Sequence, residues 1–418
     1  MNHSIIPRPR WLVIAERAFA INFVAFSFIM FSCWFPTGFS ATISTLAYLF
    51  ALPIFFYQIK FVYLSRFELA GLTLFGWLSL SVVWSDASVV DSLISLGEYR
   101  IYFIVPVLIS VLVLNEQTQR WAFIAAMLGA FIALLTSYGL GFGWWKIEGA
   151  HLSLANRIYH GFIMSSFLMA CLLIARETNG VVRLLAGAVA LLVAYNVLNI
   201  ETGRTGYLQV VFVLLTFAVL TFSKEKAVLA MVAAIALFVI SYLSVDRFHD
   251  RVRSTVENVE KMIEHNDIHS SVGYRLEFYR GAVNVGFEYP LSGVGVGDVA
   301  STLQSRAEAG QIRVLTDNVH SEFLNMLMAG GLPAVLLFCI YVASIAYSGF
   351  VIRGQSFWLG DALIGLSVIV TVSALFNSTI KDYGEKHALI ILTSLLGARL
   401  FLYRGFGTES HSAGIRRF

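Results

Sequence analysis

Apolar residues run through this chain in long blocks separated by short polar stretches. A helix needs about 20 mostly apolar residues to cross a hydrocarbon layer of about 30 Å, whereas barrel strands would alternate in segments of about ten. Blocks of helical length are read at roughly 12–34, 38–57, 67–84, 99–114, 119–140, 158–175, 182–200, 206–222, 226–245, 322–349, 358–376 and 386–403. The predicted fold class is an all-α polytopic membrane protein of about twelve transmembrane helices. One polar stretch breaks the rhythm, at 246–321 between the ninth and tenth spans. It divides the chain into a membrane domain over 1–245, a long, partly helical loop over 246–321, a second membrane segment over 322–403 and a tail over 404–418.

Two helices are predicted in that loop. Phe248, Val252, Val256, Val259 and Ile263 recur at helical spacing, with Arg251, Arg253, Glu257, Glu260 and Lys261 between them, so the first is an amphipathic surface helix lying on the spans or at the interface. Ser271 to Tyr289 reads as the second, stopped by Pro290. At 3.6 residues per turn Arg275 and Arg280 project about 140° apart and do not readily hold one ligand. Glu277 stands three residues before Arg280, the spacing of an intrahelical ion pair, while Arg275 has no acid three or four residues away. Arg275 is therefore the arginine left available for an external anion. Gly293, Gly295 and Gly297 match neither the dinucleotide nor the P-loop pattern and read as flexible turns.

Composition agrees with the periodicity. Of 418 residues 58% are hydrophobic and 13% charged, far below the quarter or so of charged residues usual in soluble domains. The net charge of +3 matters less than its placement. Arg8, Arg10, Lys60, Arg66, Arg120, Arg176, Arg183, Lys224, Lys226, Arg353, Arg404, Arg416 and Arg417 fall on alternate connections, which predicts cytoplasmic termini and a loop facing out, to the periplasm of a two-membrane bacterium. The N-terminal block lacks a small-residue cleavage site and reads as a retained first helix. Cys33, Cys171 and Cys339 each stand alone in an apolar run, as small core residues. No charged residue is read near a helix centre, with Glu16, Arg17, Asp361 and Arg399 close to span ends, and this weakens a coupled pump. Trp144 and Trp145 in the 141–157 connection read as a headgroup belt. His249, His265 and His269 lack a ligand spacing, and no metal is assigned to them.

Two residues outside the loop helices carry candidate chemistry. Arg204, in NIETGRTGY at a helix mouth, has Glu201 as a structural partner three residues back. It also lies between Gly203 and Gly206, which would let a phosphate approach its planar, permanently charged fork. His320 follows Asp317 and Asn318, either of them a cap, and is predicted in the first turn of the tenth span, where the positive helix end favours the neutral imidazole a general base needs. A lone interfacial histidine is more commonly a passive hydrogen-bonding residue. Gly330, Gly331 and Pro333 are expected to loosen that span about three turns in.

TGRTGY at a helix mouth, GYRLEFYRGA followed by YPLSGVGVGD, and HSEFLNMLMAGGLP after the long loop resemble the O-antigen ligase and polymerase superfamily over about 190–340. That family requires two loop arginines and a histidine, and the matching positions are Arg204, Arg275 and His320, with Arg280, Asp317 and Asn318 as supporting candidates. The resemblance implies transfer of a glycan from undecaprenyl diphosphate to an acceptor hydroxyl, in the best-fitting case on the lipid A-core oligosaccharide. The partners it implies are that donor, that acceptor and membrane lipids, not nucleic acid, and no cofactor is called for. Arginines in place of a metal would neutralise the leaving diphosphate. A single displacement with one base predicts inversion, since no carboxylate pair suited to retention is read. A polysaccharide polymerase, a protein O-oligosaccharyltransferase and, in another class, a lipid or solute transporter remain alternatives. Between Gly297 and Thr316 no family pattern is matched.

Overall fold

The computed structural model describes residues 9–58, 64–147, 156–201 and 203–407. The charges at Arg8, Lys60, Arg416 and Arg417, residues 148–155 of the Trp-bearing connection and the tail from 408 onward lie outside them. Of the described residues 81% are helical and none lies in a strand. In chain order the helices are α1 (Arg10–Ser32), α2 (Thr37–Gln58), α3 (Arg66–Leu80), α4 (Val89–Gly97), α5 (Ile101–Leu112), α6 (Glu116–Gly141), α7 (Arg157–Glu177), α8 (Gly180–Tyr195), α9 (Arg204–Thr221), α10 (Lys224–Ser244), α11 (Asp246–His265), α12 (Ser271–Glu288), α13 (Val299–Glu308), α14 (Glu322–Ile352), α15 (Phe357–Phe376) and α16 (Tyr383–Gly407). Among the described residues eleven stretches are long and apolar enough to cross a membrane, and the pair α4 and α5, bent by 50°, makes up to twelve. The chain is a multi-pass membrane protein. The block expected at 99–114 is thus not a straight span: α5 has only 12 residues, and α4 completes it across a break at Glu98–Arg100.

Helices α1, α2 and α6 pack together on one side, and α7, α9 and α15 on another, while α14 leans on α3 and α15. Close approach of α7 and α9 depends on two glycines. A Cβ on Gly161 would stand 3.0 Å from the Cα of Gly206, and one on Gly203 would stand 3.1 Å from the carbonyl of Arg157. Gly203 and Gly206, expected to admit a ligand to the backbone, instead admit the neighbouring helix. The result is that α7 and α9 start side by side, with Arg157 and Arg204 as their first residues.

The long loop lies against the membrane helices. Helix α11 is anchored by Phe248, fully buried and edge-on to Tyr207 (4.8 Å) and Phe238 (4.9 Å). Farther along its apolar face Val256 and Ile263 are exposed, as suits a helix at an interface. His249 stacks on Tyr242, and His265 is exposed. Helix α12 is capped by Ser270, whose hydroxyl accepts the amide of Gly273 (3.0 Å), and it packs on α14. Helix α13 occupies the stretch in which no pattern was legible.

The glycine turns after α12 are pinned, contrary to the expectation of flexibility. Gly330 and Gly331 break the helical course of α14, freeing backbone groups inside a span, and these groups find partners. The Trp77 indole donates to the Gly330 carbonyl (2.8 Å), Leu332 N donates to the Pro290 carbonyl (2.8 Å), and Met328 O accepts from Val294 N (2.8 Å). Asp298 then accepts from the hydroxyl of Ser85 (2.6 Å) and from the amides of Asp86 (2.6 Å) and Ala87 (3.2 Å). Gly293 and Gly295 adopt left-handed φ of 63° and 94° while wedged against the kink and against Ser81 and Ser85, where a side chain has no room.

Candidate functional site

Four arginines from four helices meet at the end of the bundle where α7 and α9 begin. Arg204 is held over α12 by a long bond from its Nη1 to the hydroxyl of Ser271 (3.4 Å), and its Nε is buried with no partner. Arg251 of α11, Arg275 of α12 and Arg157 of α7 all act on it electrostatically. Burial, then Arg157 and Arg275, pulls the Arg251 guanidinium below its ordinary value, with Tyr207 opposing. Arg275 makes no ion pair among the described residues. The α7 and α9 N-termini add the positive ends of their helix dipoles to the same place. Like charges are gathered here at a cost, and an anion of more than one negative charge would offset it.

Local folding explains the convergence. Asn156 caps α7 by accepting the Ile158 amide (2.9 Å), which sets Arg157 at the first position. The chain from α8 into α9 passes through a π-helical turn, Asn196–Ile200. Its first residue is fixed by His160 (3.1 Å) and by the Ser137 hydroxyl, which accepts from Asn196 Nδ2 (2.9 Å). Turns of this wide kind re-aim a helix, and this one delivers Arg204 to the mouth. From there Arg204 reaches across to Ser271 of the loop helix.

His320 stands beside this group but not where the cap pattern put it. Helix α14 starts at Glu322 with Ser321 as its cap, so His320 precedes the helix instead of sitting in its first turn. Its φ is 57°, a left-handed conformation uncommon for a residue with a side chain. Asn318 does not cap α14. Its Oδ1 accepts the His320 amide (3.0 Å) and the Ser378 hydroxyl (2.5 Å), tying the histidine loop to the α15–α16 connection. Asp317 makes no cap either and acts on His320 through space. The imidazole is half-buried, 6.1 Å centre to centre from the Phe278 ring, and its Nδ1 is buried without a partner. Burial first, and then Arg275, lowers the His320 pKa, while Asp382 and Asp317 pull it back up. The neutral form is thus favoured by burial and a neighbouring cation.

Arg204, Arg275 and His320 are therefore neighbours in space, whereas Arg280 is not part of the group. Its side chain is exposed, and its contact with Glu277 is a loose 3.9 Å. The buried Glu277 carboxylate instead takes a 2.5 Å bond from Arg313, and this pairing, with burial opposing it, lowers the Glu277 pKa. A buried acid takes the cation that reaches it at short range, and Arg313 comes from the stretch where no pattern was read.

Sequence reasoning missed Arg157, Arg251 and Asp382. Asp382 lies in the α15–α16 connection and accepts from Asn377 Nδ2 (3.0 Å). Burial, the largest cause, raises its pKa. Beneath it Glu322, Asn325, Asn377, Ser378 and Glu385 form a buried polar layer between α14, α15 and α16. The polar run Asn377–His387 was the available signal, brief enough to pass for an ordinary connection. Among the described residues no three His, Cys, Asp or Glu side chains form a metal-binding group.

Residues 188–339 match the family model described as O-antigen ligase. Over that stretch the chain is similar to the O-antigen ligase family. The matched region begins in α8 and ends inside α14, so it contains Arg204, Arg251, Arg275 and His320. The match supports activity of the ligase or polymerase type on lipid-linked glycans in general. A search of the curated proteins finds no match.

Proposed function

We propose that this protein is an O-antigen ligase, transferring a polysaccharide from undecaprenyl diphosphate to a hydroxyl of the lipid A-core oligosaccharide at the periplasmic face of the inner membrane. The observation that carries the reading is the gathering of Arg204 and Arg275 with Arg157 and Arg251, beside a histidine favoured in its neutral form, within the region of family match. A lipid diphosphate has the charge and the twin phosphoryl forks such a group suits.

In the proposed step Arg204 and Arg275 bind the diphosphate and take up the charge that develops as it leaves. His320 accepts the proton of the acceptor hydroxyl. The acceptor oxygen forms the new bond to the anomeric carbon while the bond from that carbon to the phosphate oxygen breaks, its electron pair leaving on undecaprenyl diphosphate. One displacement with one base inverts the anomeric centre. The arginines do the electrostatic work often given to a metal.

The test is reconstitution with purified undecaprenyl-diphosphate glycan and lipid A-core acceptor. Wild type is expected to transfer in EDTA with an inverted linkage, and His320→Ala to lose transfer at equal protein level. Normal transfer by His320→Ala would overturn the assignment of the base. A ladder of lengthening lipid-linked chains in place of loaded core would make the protein a polymerase, and counterflow of donor without transfer would make it a transporter.

A further inference from the structure

His320 holds an unusual backbone conformation from which its ring reaches the arginine group, and both of its backbone polar groups are bonded by side chains. The amide donates to Asn318 Oδ1 (3.0 Å), and the carbonyl accepts from the Tyr279 hydroxyl (3.2 Å). Asn318 belongs to the same loop, whereas Tyr279 comes from α12 and is the contact that reaches across. Tyr279 lies four residues after Arg275, so the two share one face of α12. Phe278, next in line, packs its ring near the imidazole. Burial raises the Tyr279 pKa and Arg275 opposes it only in part, so the phenol keeps its proton and remains a donor.

We propose that Tyr279 is a positioning residue that fixes His320 relative to Arg275, so that the helix holding the donor diphosphate also sets the place of the base. The inference rests on the transfer reading given above. Without the phenol the left-handed turn at His320 loses the hydrogen bond that ties it to α12 and keeps the one to Asn318. The imidazole then spends less time half-buried beside Arg275. Donor binding, which needs the arginines and not the imidazole, is left intact.

The experiment compares wild type, Tyr279→Phe and His320→Ala in nanodiscs, by transfer kinetics and by histidine NMR titration in which His320→Ala identifies the His320 signal. Phenylalanine keeps the packing of the ring and removes only the hydroxyl. Tyr279→Phe is expected to lower kcat about three- to tenfold, the worth of one net hydrogen bond, with donor KM unchanged. The groups facing His320 are Arg275 of α12, Asp317 of its own loop and Asp382 of the α15–α16 connection. With burial and Arg275 weakened and the two acids left, the His320 titration and the acid limb of kcat both move to higher pH. An unchanged kcat and titration would overturn the proposal, and so would a raised donor KM at constant kcat, which would place Tyr279 in donor binding. The NMR titration reads the clamp whether or not His320 is the base. Normal transfer by His320→Ala with a shifted titration in Tyr279→Phe would thus sink the transfer reading and leave the clamp.

Discussion

Helices α7 and α9 carry arginine chemistry at both ends, and the two ends are built in opposite ways. Where the helices finish, Asp361 is fully buried between two arginines. Arg176 of α7 pairs with one of its oxygens, and Arg353 at the end of α14 with the other (2.6 Å). Arg176 also reaches Thr221, the last residue of α9 (3.3 Å), and Arg353 bonds the carbonyl of Leu220. Each cation there has an acid or a carbonyl. Where the helices start, Arg157 and Arg204 stand with Arg251 and Arg275, Arg275 makes no ion pair among the described residues, and Arg204 Nε is buried without a partner among them. A cluster built round a shared acid holds helices together, while arginines gathered at a helix mouth suit an anion from outside.

This contrast breaks most visibly at the base. His320→Ala should lower kcat about a hundred- to ten-thousandfold while the thermal transition stays near wild type. A comparable fall in the transition temperature would mean that the loss is structural. At the opposite end Asp361→Ala takes the shared buried acid from two partly buried cations and should cost about 3–5 kcal/mol of stability, with transfer per folded molecule unchanged. If that variant instead lost transfer at full stability, the two ends would be functionally coupled. Arg275→Gln should reduce kcat/KM for the donor about ten- to a hundredfold, the worth of a charged hydrogen bond, without lowering the melting temperature. Asp382→Asn sharpens the picture most gently. The working base is neutral, so activity is lost as pH falls through the His320 pKa. Asp382 raises that pKa, so removing its charge should move the acid limb of the pH profile to lower pH. A move to higher pH would show that Asp382 acts by some route other than its charge.

Much of this molecule is legible without coordinates because its solvent is a bilayer. The cost of leaving backbone groups unpaired in hydrocarbon forces long apolar helices, so most spans are visible as runs, and the kink of α14 is visible as Gly330, Gly331 and Pro333. Helix α11 shows in its periodicity, and α12 in the run from Ser271 that Pro290 stops. Arg275 stands out because no acid lies within a turn of it, which is local information. The same local logic misled at Glu277, which chose Arg313 thirty-six residues away over Arg280. It misled again at Asn318, whose side chain ties a loop in place of capping a helix.

The sequence by itself determined the class of the protein and the location of most spans, because burial in lipid depends on neighbours along the chain, while Arg204, Arg275 and His320 were singled out as a set by the family resemblance. Only the tertiary structure decided that Arg157 and Arg251 join Arg204, that Asp382 stands beside His320, and that the glycines flanking Arg204 serve helix packing. These facts depend on which helix ends meet. That meeting is set by close approach at Gly161 and Gly206, by the π-helical turn before α9 and by a hydrogen bond from Tyr279, contacts between residues dozens of positions apart in the chain.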